Sequence, residues 1–227
     1  MDKEVAKDIA KDVGNRVIKV GMGLIPIAGP VLSEGYDLIV TRNLDKRSAE
    51  VINNIQSRIN RLEMKFSKEE LSENQELVDV ILEVHSAAIR TSQEYKKAAL
   101  YNALSNTPGS TLSEDKKMMF LRIIKNLTPS HLKLLKFFVD PNKAYKEKFG
   151  KEISLYMGGL ATVIEEVFEN EFDDKELLKL IIVDLNQNQL INGDYSLLNS
   201  TTTNNGLKSK RTTNLGDEFI EFISEHD

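Results

Sequence analysis

Three histidines, some adjacent acids and one run of cations are the residues in this chain whose types could support chemistry. His85, His131 and His226 stand apart from one another, with no second ligand at metal spacing on the same helix face, so they do not read as a metal site. His131, in the helical turn that opens at Pro129, is expected in a surface or half-buried structural role. The pairs Glu165-Glu166 and Asp173-Asp174 are adjacent in sequence and diverge on a helix, which makes them solvated charge and not a general acid/base pair. Gly21-Met22-Gly23 lacks the later glycine, the preceding strand and the lysine of a phosphate-cradling loop. The chain has no cysteine, which excludes disulfides, thiolate metal sites and a cysteine nucleophile together. The expectation is a protein that is not an enzyme, with no catalytic, cofactor-binding or metal-ligating residues and no cofactor.

Lys208, Lys210 and Arg211 are the cations placed to meet a nucleic-acid backbone or a partner. Charge limits the first option. The net charge is −5, and Lys175 and Lys179 on the helix expected over Lys175 to Gln187 are offset by Glu176, Asp184 and the preceding Asp173 and Asp174. DNA affinity comes largely from phosphate neutralisation, so a neutral-to-acidic helix favours protein contact over operator reading.

These residues need elements to carry them. The length of 227 residues, with 41% hydrophobic and 29% charged residues, fits a soluble globular chain of one or two domains. The first residues, MDKEVAKDIAKD, alternate acids and bases where a secretion signal needs a basic tip and an apolar run, which points to the cytoplasm. Residues 2–19 read as an amphipathic helix through Val5, Ile9, Val13 and Val17. From Val20 to Ser33 the chain carries no charge, and Gly21, Gly23, Pro26, Gly29 and Pro30 break any helix through it. That run is too short to span a bilayer. It reads as a buried turn between packed helices or, alternatively, as a hairpin touching a membrane or a partner through Leu24, Ile25, Pro26, Ile27 and Pro30.

Residues 35–66 read as a long helix through Leu44, Val51, Ile55, Ile59 and Leu62, and SKEE at Ser67 has the form of a capping box. Residues 77–103 read as one helix with Leu77, Ile81, Val84, Ala88, Tyr95 and Ala99 inside. The segment SNTPGSTLS, residues 105–113, is the predicted domain boundary.

The stretch Phe120 to Phe138 is the predicted hub. Phe120, Ile124 and Leu127 share a helical face, Thr128-Pro129 restarts the helix, and Leu132, Leu135 and Phe138 continue the apolar face. Asp140-Pro141 reads as a stop before a polar connection with Lys143, Lys146, Lys148 and Lys151. A helix over 153–169 follows, then one opened by Asp173 with Glu176 three residues on. Gln189 to Ile191, the turn Asn192-Gly193-Asp194 and Tyr195 to Leu198 are expected to form a small β-hairpin before a last helix with Leu215, Phe219, Phe222 and Ile223. The reading is mainly α: an N-terminal helical bundle or long helical hairpin over 1–106, then a winged-helix-like domain over 113–227 whose wing loop spans about 192–211.

The segments SEDKKMMFLRIIKNLTPSHLKLLKFF, DLNQNQLI and RTTNLGDEFIEFI, with the upstream GPVLSEGYDLIVTRNLDKR, resemble the Abi-alpha type of abortive-infection proteins and related bacterial proteins. The resemblance implies a bacterial or prophage-encoded accessory protein, in the setting of defence against phage, acting by association with a protein partner or with itself. It brings no catalytic residues. A winged-helix transcriptional regulator and a membrane effector using 20–33 are the alternatives.

Overall fold

The computed structural model describes residues 42–154, 159–172, 174–198 and 203–226. The chain divides into two compact units, Met1–Gly109 and Ser110–Asp227. The described residues are helical in both, so the chain is mainly α. The apolar run 20–33 and the helix expected over 2–19 lie outside the described residues.

In the first unit α1 spans Arg42–Leu62, α2 Lys68–Glu73, α3 Gln75–Ile89 and α4 Glu94–Asn106. Val51, Ile55 and Leu62 on α1 meet Leu77, Val80, Val84 and Ala88 on α3 and Ala99, Leu100, Ala103 and Leu104 on α4, all buried. The capping box forms: Ser67 Oγ accepts the Glu70 amide at 3.1 Å, and Glu70 Oε2 accepts the Ser67 amide at 2.8 Å. The single helix expected over 77–103 is instead broken between Ile89 and Glu94. Thr91 Oγ1 accepts the Gln93 amide at 3.1 Å, a side-chain bond that competes with continued helix. The break lets α3 and α4 pack on each other. It also changes the helical phase, so that Tyr95, expected inside, is exposed.

In the second unit α5 spans Glu114–Asn126, α6 Pro129–Val139, α7 Pro141–Phe149, α8 Leu160–Phe168, α9 Lys175–Gln187, α10 Asn204–Lys208 and α11 Asn214–Ile223, with 3₁₀ turns at Glu169–Phe172 and Tyr195–Leu198. The hub residues Phe120, Ile124, Leu127, Leu132, Leu135 and Phe138 are all 2% exposed or less. Edge-to-face rings join the hub to the rest of the core. Phe120 lies 5.2 Å from Phe219, Phe137 5.7 Å from Phe168, and Phe168 5.0 Å from Phe172.

Three expectations for this unit are corrected. Pro141 opens a helix where a polar connection was expected: its fixed φ suits the first helical position, and Asp140 Oδ1 caps the Lys143 amide at 2.9 Å. α9 is capped by Asp174, one residue after the Asp173 expected from its spacing to Glu176. The β-hairpin and its wing are not found, since no strand occurs among the described residues. A single antiparallel bridge among them joins Ile191 to Thr212. Its bonds, Asn192 N–H to the Arg211 carbonyl at 2.7 Å and Thr213 N–H to the Leu190 carbonyl at 3.0 Å, are not extended. On one side Asp194 Oδ1 takes the Ser196 amide at 2.8 Å and starts a 3₁₀ turn. On the other, Thr213 Oγ1 takes the Gly216 amide at 2.9 Å and starts α11. Short side-chain caps outcompete ladder pairing at both exits. Within the expected wing, residues 204–208 form α10.

Candidate partner-binding face

α9 begins where Asp174 Oδ1 accepts the Glu176 and Leu177 amides at 3.0 and 3.1 Å. Its inner row, Leu178, Ile181, Ile182 and Leu185, is buried. The opposite side carries Leu177 and Leu180, which are 46% and 60% exposed. Residues three apart on a helix are neighbours, so the two leucines make one apolar strip on the outer face. Beside it the Lys179 ammonium sits 4.6 Å from the centre of the Tyr195 ring, which is itself 44% exposed. A helix that is apolar on both sides, with one side against a core and the other against water, can bury the second side on another protein. Leu180 was not singled out from the sequence. The signal present in the sequence was angular: both leucines fall off the 178–181–182–185 row.

The cations singled out for backbone contact are tied into their own unit. Lys208 Nζ donates to Glu152 Oε2 at 2.6 Å, and Lys210 pairs with Asp217. Arg211 donates to the Gly206 carbonyl at 2.8 Å and to the Ser209 carbonyl at 2.5 Å. The Lys208 hydrogen bond holds the Glu152 carboxyl below its ordinary pKa. At Asp217 burial pushes the pKa up, but hydrogen bonds from Lys210 and Thr212 outweigh it and the net direction is down. Burial lowers the Arg211 guanidinium. Lys210 and Arg211 therefore close the 204–217 segment on itself, and Lys208 ties it to Glu152.

His131 is buried and, contrary to its isolated position in sequence, it is bridged on both ring nitrogens. The Thr128 backbone N–H donates to Nδ1 at 3.2 Å, and Thr128 Oγ1 lies 2.7 Å from the same atom. An amide can only donate, so Nδ1 is the acceptor and the ring proton is on Nε2. Nε2 then donates to Asp184 Oδ2 on α9, at 3.2 Å and 53 residues away. His85 is also buried, and burial lowers its pKa; His226 Nε2 contacts the Glu221 carbonyl at 2.9 Å.

The paired acids go separate ways. Glu166 accepts the Tyr145 hydroxyl at 2.8 Å, while Glu165 lies 3.9 Å from Lys175. The hydrogen bond to Glu166 raises the Tyr145 pKa. Among the described residues no group of three or more histidines and acids could hold a metal ion. No helix among them is long and apolar enough to cross a membrane. Gly21, Gly23, Leu24, Ile25, Pro26, Ile27, Pro30 and Asp173 lie outside the described residues. Comparison with known proteins finds no matching family model, no matching curated protein and no matching solved structure.

Proposed function

We propose that this chain acts by association with a protein and not by catalysis, in the bacterial or prophage defence setting that the Abi-alpha resemblance implies. The observation that carries the reading is the pairing of Leu177 and Leu180 on the outer face of α9, exposed at 46% and 60% while the row behind them is buried. Fully burying a leucine is worth roughly 1.5–3 kcal/mol, so covering the exposed half of each of these is worth about half of that, a contribution suited to an anchor within a larger contact. DNA binding through a winged-helix-like unit finds less support. It would need Lys208, Lys210 and Arg211 to leave the contacts described above, with one bridge standing where a wing would be.

The test is expression of the full chain in a phage-sensitive bacterial host, with plaque counts and chemical cross-linking of the purified protein. The expected result is fewer plaques and a cross-linked product, both lost in Leu177→Glu/Leu180→Glu while helical circular dichroism is unchanged. A double variant that protects and cross-links as the parent does would remove the basis for the reading.

A further inference from the structure

We infer that Thr128 is a site of covalent acylation, with His131 as its base and Asp184 as the positioning residue. Thr128 is an exposed residue, its Oγ1 lies 2.7 Å from His131 Nδ1 in a part-buried contact, and His131 Nε2 is held by Asp184 Oδ2 at 3.2 Å. A hydroxyl within reach of a base, and a base oriented by a carboxylate, is the arrangement that activates an alcohol as a nucleophile. The tautomer is the required one: the Nδ1 lone pair, which accepts the Thr128 amide, is shared with the hydroxyl 2.7 Å away. Thr128 and His131 form a capping box, in which the His131 ring takes the Thr128 amide. The box does not need a carboxylate from a helix 53 residues away to hold the other ring nitrogen.

Thr128 also stands at the N-terminus of α6. The positive end of the helix dipole favours the negative charge that builds on an acyl oxygen during attack. The ligand class is an activated acyl donor, a thioester or an aryl ester. Thr128 Oγ1 bonds to the acyl carbon and the carbon–sulfur or carbon–oxygen bond of the donor breaks. The hydroxyl proton passes to His131 Nδ1 and then to the departing thiolate or phenolate.

The experiment treats the full chain with p-nitrophenyl acetate and maps acetylated peptides by mass spectrometry. The expected result is one acetyl group on Thr128, formed at least about tenfold more slowly in His131→Gln and also more slowly in Asp184→Asn. A second measurement uses the absence of cysteine: Thr128→Cys supplies the sole thiol, and a thiol beside a base is partly ionised at neutral pH. Its alkylation by iodoacetamide should be faster folded than in urea, and the advantage should disappear with His131→Gln, a readout that a purely structural role does not move. Acetylation confined to lysines, or alkylation of the Thr128→Cys variant at a rate indifferent to both His131 and Asp184, overturns the proposal. Asp184 is 51% exposed at its side chain, so its variant keeps the comparison open should His131→Gln fail to fold.

Discussion

The first unit fills its interior with aliphatic and small side chains and a tyrosine, while the second adds phenylalanine rings to its leucines and isoleucines. Around α1, α3 and α4 the buried residues include Ala87, Ala88, Ala99 and Ala103 beside Leu100 and Leu104. Around α5 and α6 they include Phe120, Phe138, Phe172 and Phe219. Alanine lets helices approach closely, so the first unit gains its stability from helix-on-helix contact. Rings span larger gaps, so the second unit can hold short helices and irregular turns that have little stability alone. Polar contacts divide less sharply. In the second unit ion pairs join distant segments, Lys116 to Glu218 at 2.8 Å and Lys133 to Glu171 at 2.8 Å. In the first, the buried Lys97 lies 2.9 Å from Glu94 and 3.7 Å from Glu50 on α1, while the Tyr101 hydroxyl and His85 Nε2 are buried with no hydrogen-bond partner among the described residues. Both units join distant segments by ion pairs, and the second also holds a buried nitrogen, Arg211 Nε, with no partner among the described residues.

The largest effect that tests this contrast is Phe120→Ala. It removes a ring in contact with both Phe219 and Phe222 and should lower stability by about 3–5 kcal/mol. Hydrogen exchange read by mass spectrometry should show lost protection in α5, α6 and α11. In the first unit Leu100→Ala should cost about 3 kcal/mol, with lost protection in α1, α3 and α4. If it costs as little as a surface change, helix-on-helix packing is not what holds that unit.

Gly216→Ala comes next. A Cβ there would sit 2.0 Å from the Leu190 carbonyl oxygen, closer than any real contact, so the bridge between residues 191 and 212 and the start of α11 must shift. A loss of about 2 kcal/mol or more is expected in urea denaturation, against about 0.5 or less for Gly109→Ala, where nothing lies within 4 Å.

The pH response should sharpen the polar side of the comparison. Burial lowers the His85 pKa, so as pH falls the unfolded chain takes up its proton first. That contribution is complete above the ordinary histidine value of about 6.5 and is lost below it. Burial, reinforced by Glu50 and Glu94, pushes the Tyr101 phenol up to about 12. The unfolded chain therefore gives up that proton first as pH rises, and stability declines from about pH 10 towards 12. His85→Leu should flatten the acid side of the melting-temperature profile and Tyr101→Phe the alkaline side. Profiles unchanged by either substitution would show that these groups do not set the response. The smallest effect is Lys208→Ala, whose pair with the exposed Glu152 should leave the urea midpoint nearly unchanged.

Legibility in the sequence followed the range of the interaction. The cap at Ser67, the restart at Thr128-Pro129 and the hub from Phe120 to Phe138 were all readable, since each depends on residues three or four apart along one helix. The helix break at Arg90 to Gln93 was not, because Thr91 and Ser92 tolerate helix, and the bond from the Gln93 amide to Thr91 prevails once α3 packs on α4. The hairpin over 189–198 was over-read for a related reason. Its turn residues are genuine turn formers, but strand pairing depends on the far side of the bridge, and there Thr213 starts a helix instead.

For the candidate sites the division is the same. Composition alone determined that no thiol chemistry is available, and spacing alone determined that Glu165 and Glu166 diverge. Only the tertiary structure decided that Leu177 and Leu180 face outward while Leu178 faces inward, that Lys208, Lys210 and Arg211 are held by partners, and that His131 meets Asp184. Local geometry fixes which residues share a helical face. Which face is covered, and which distant charge reaches it, depends on how separate helices pack, and that is a property of the whole unit.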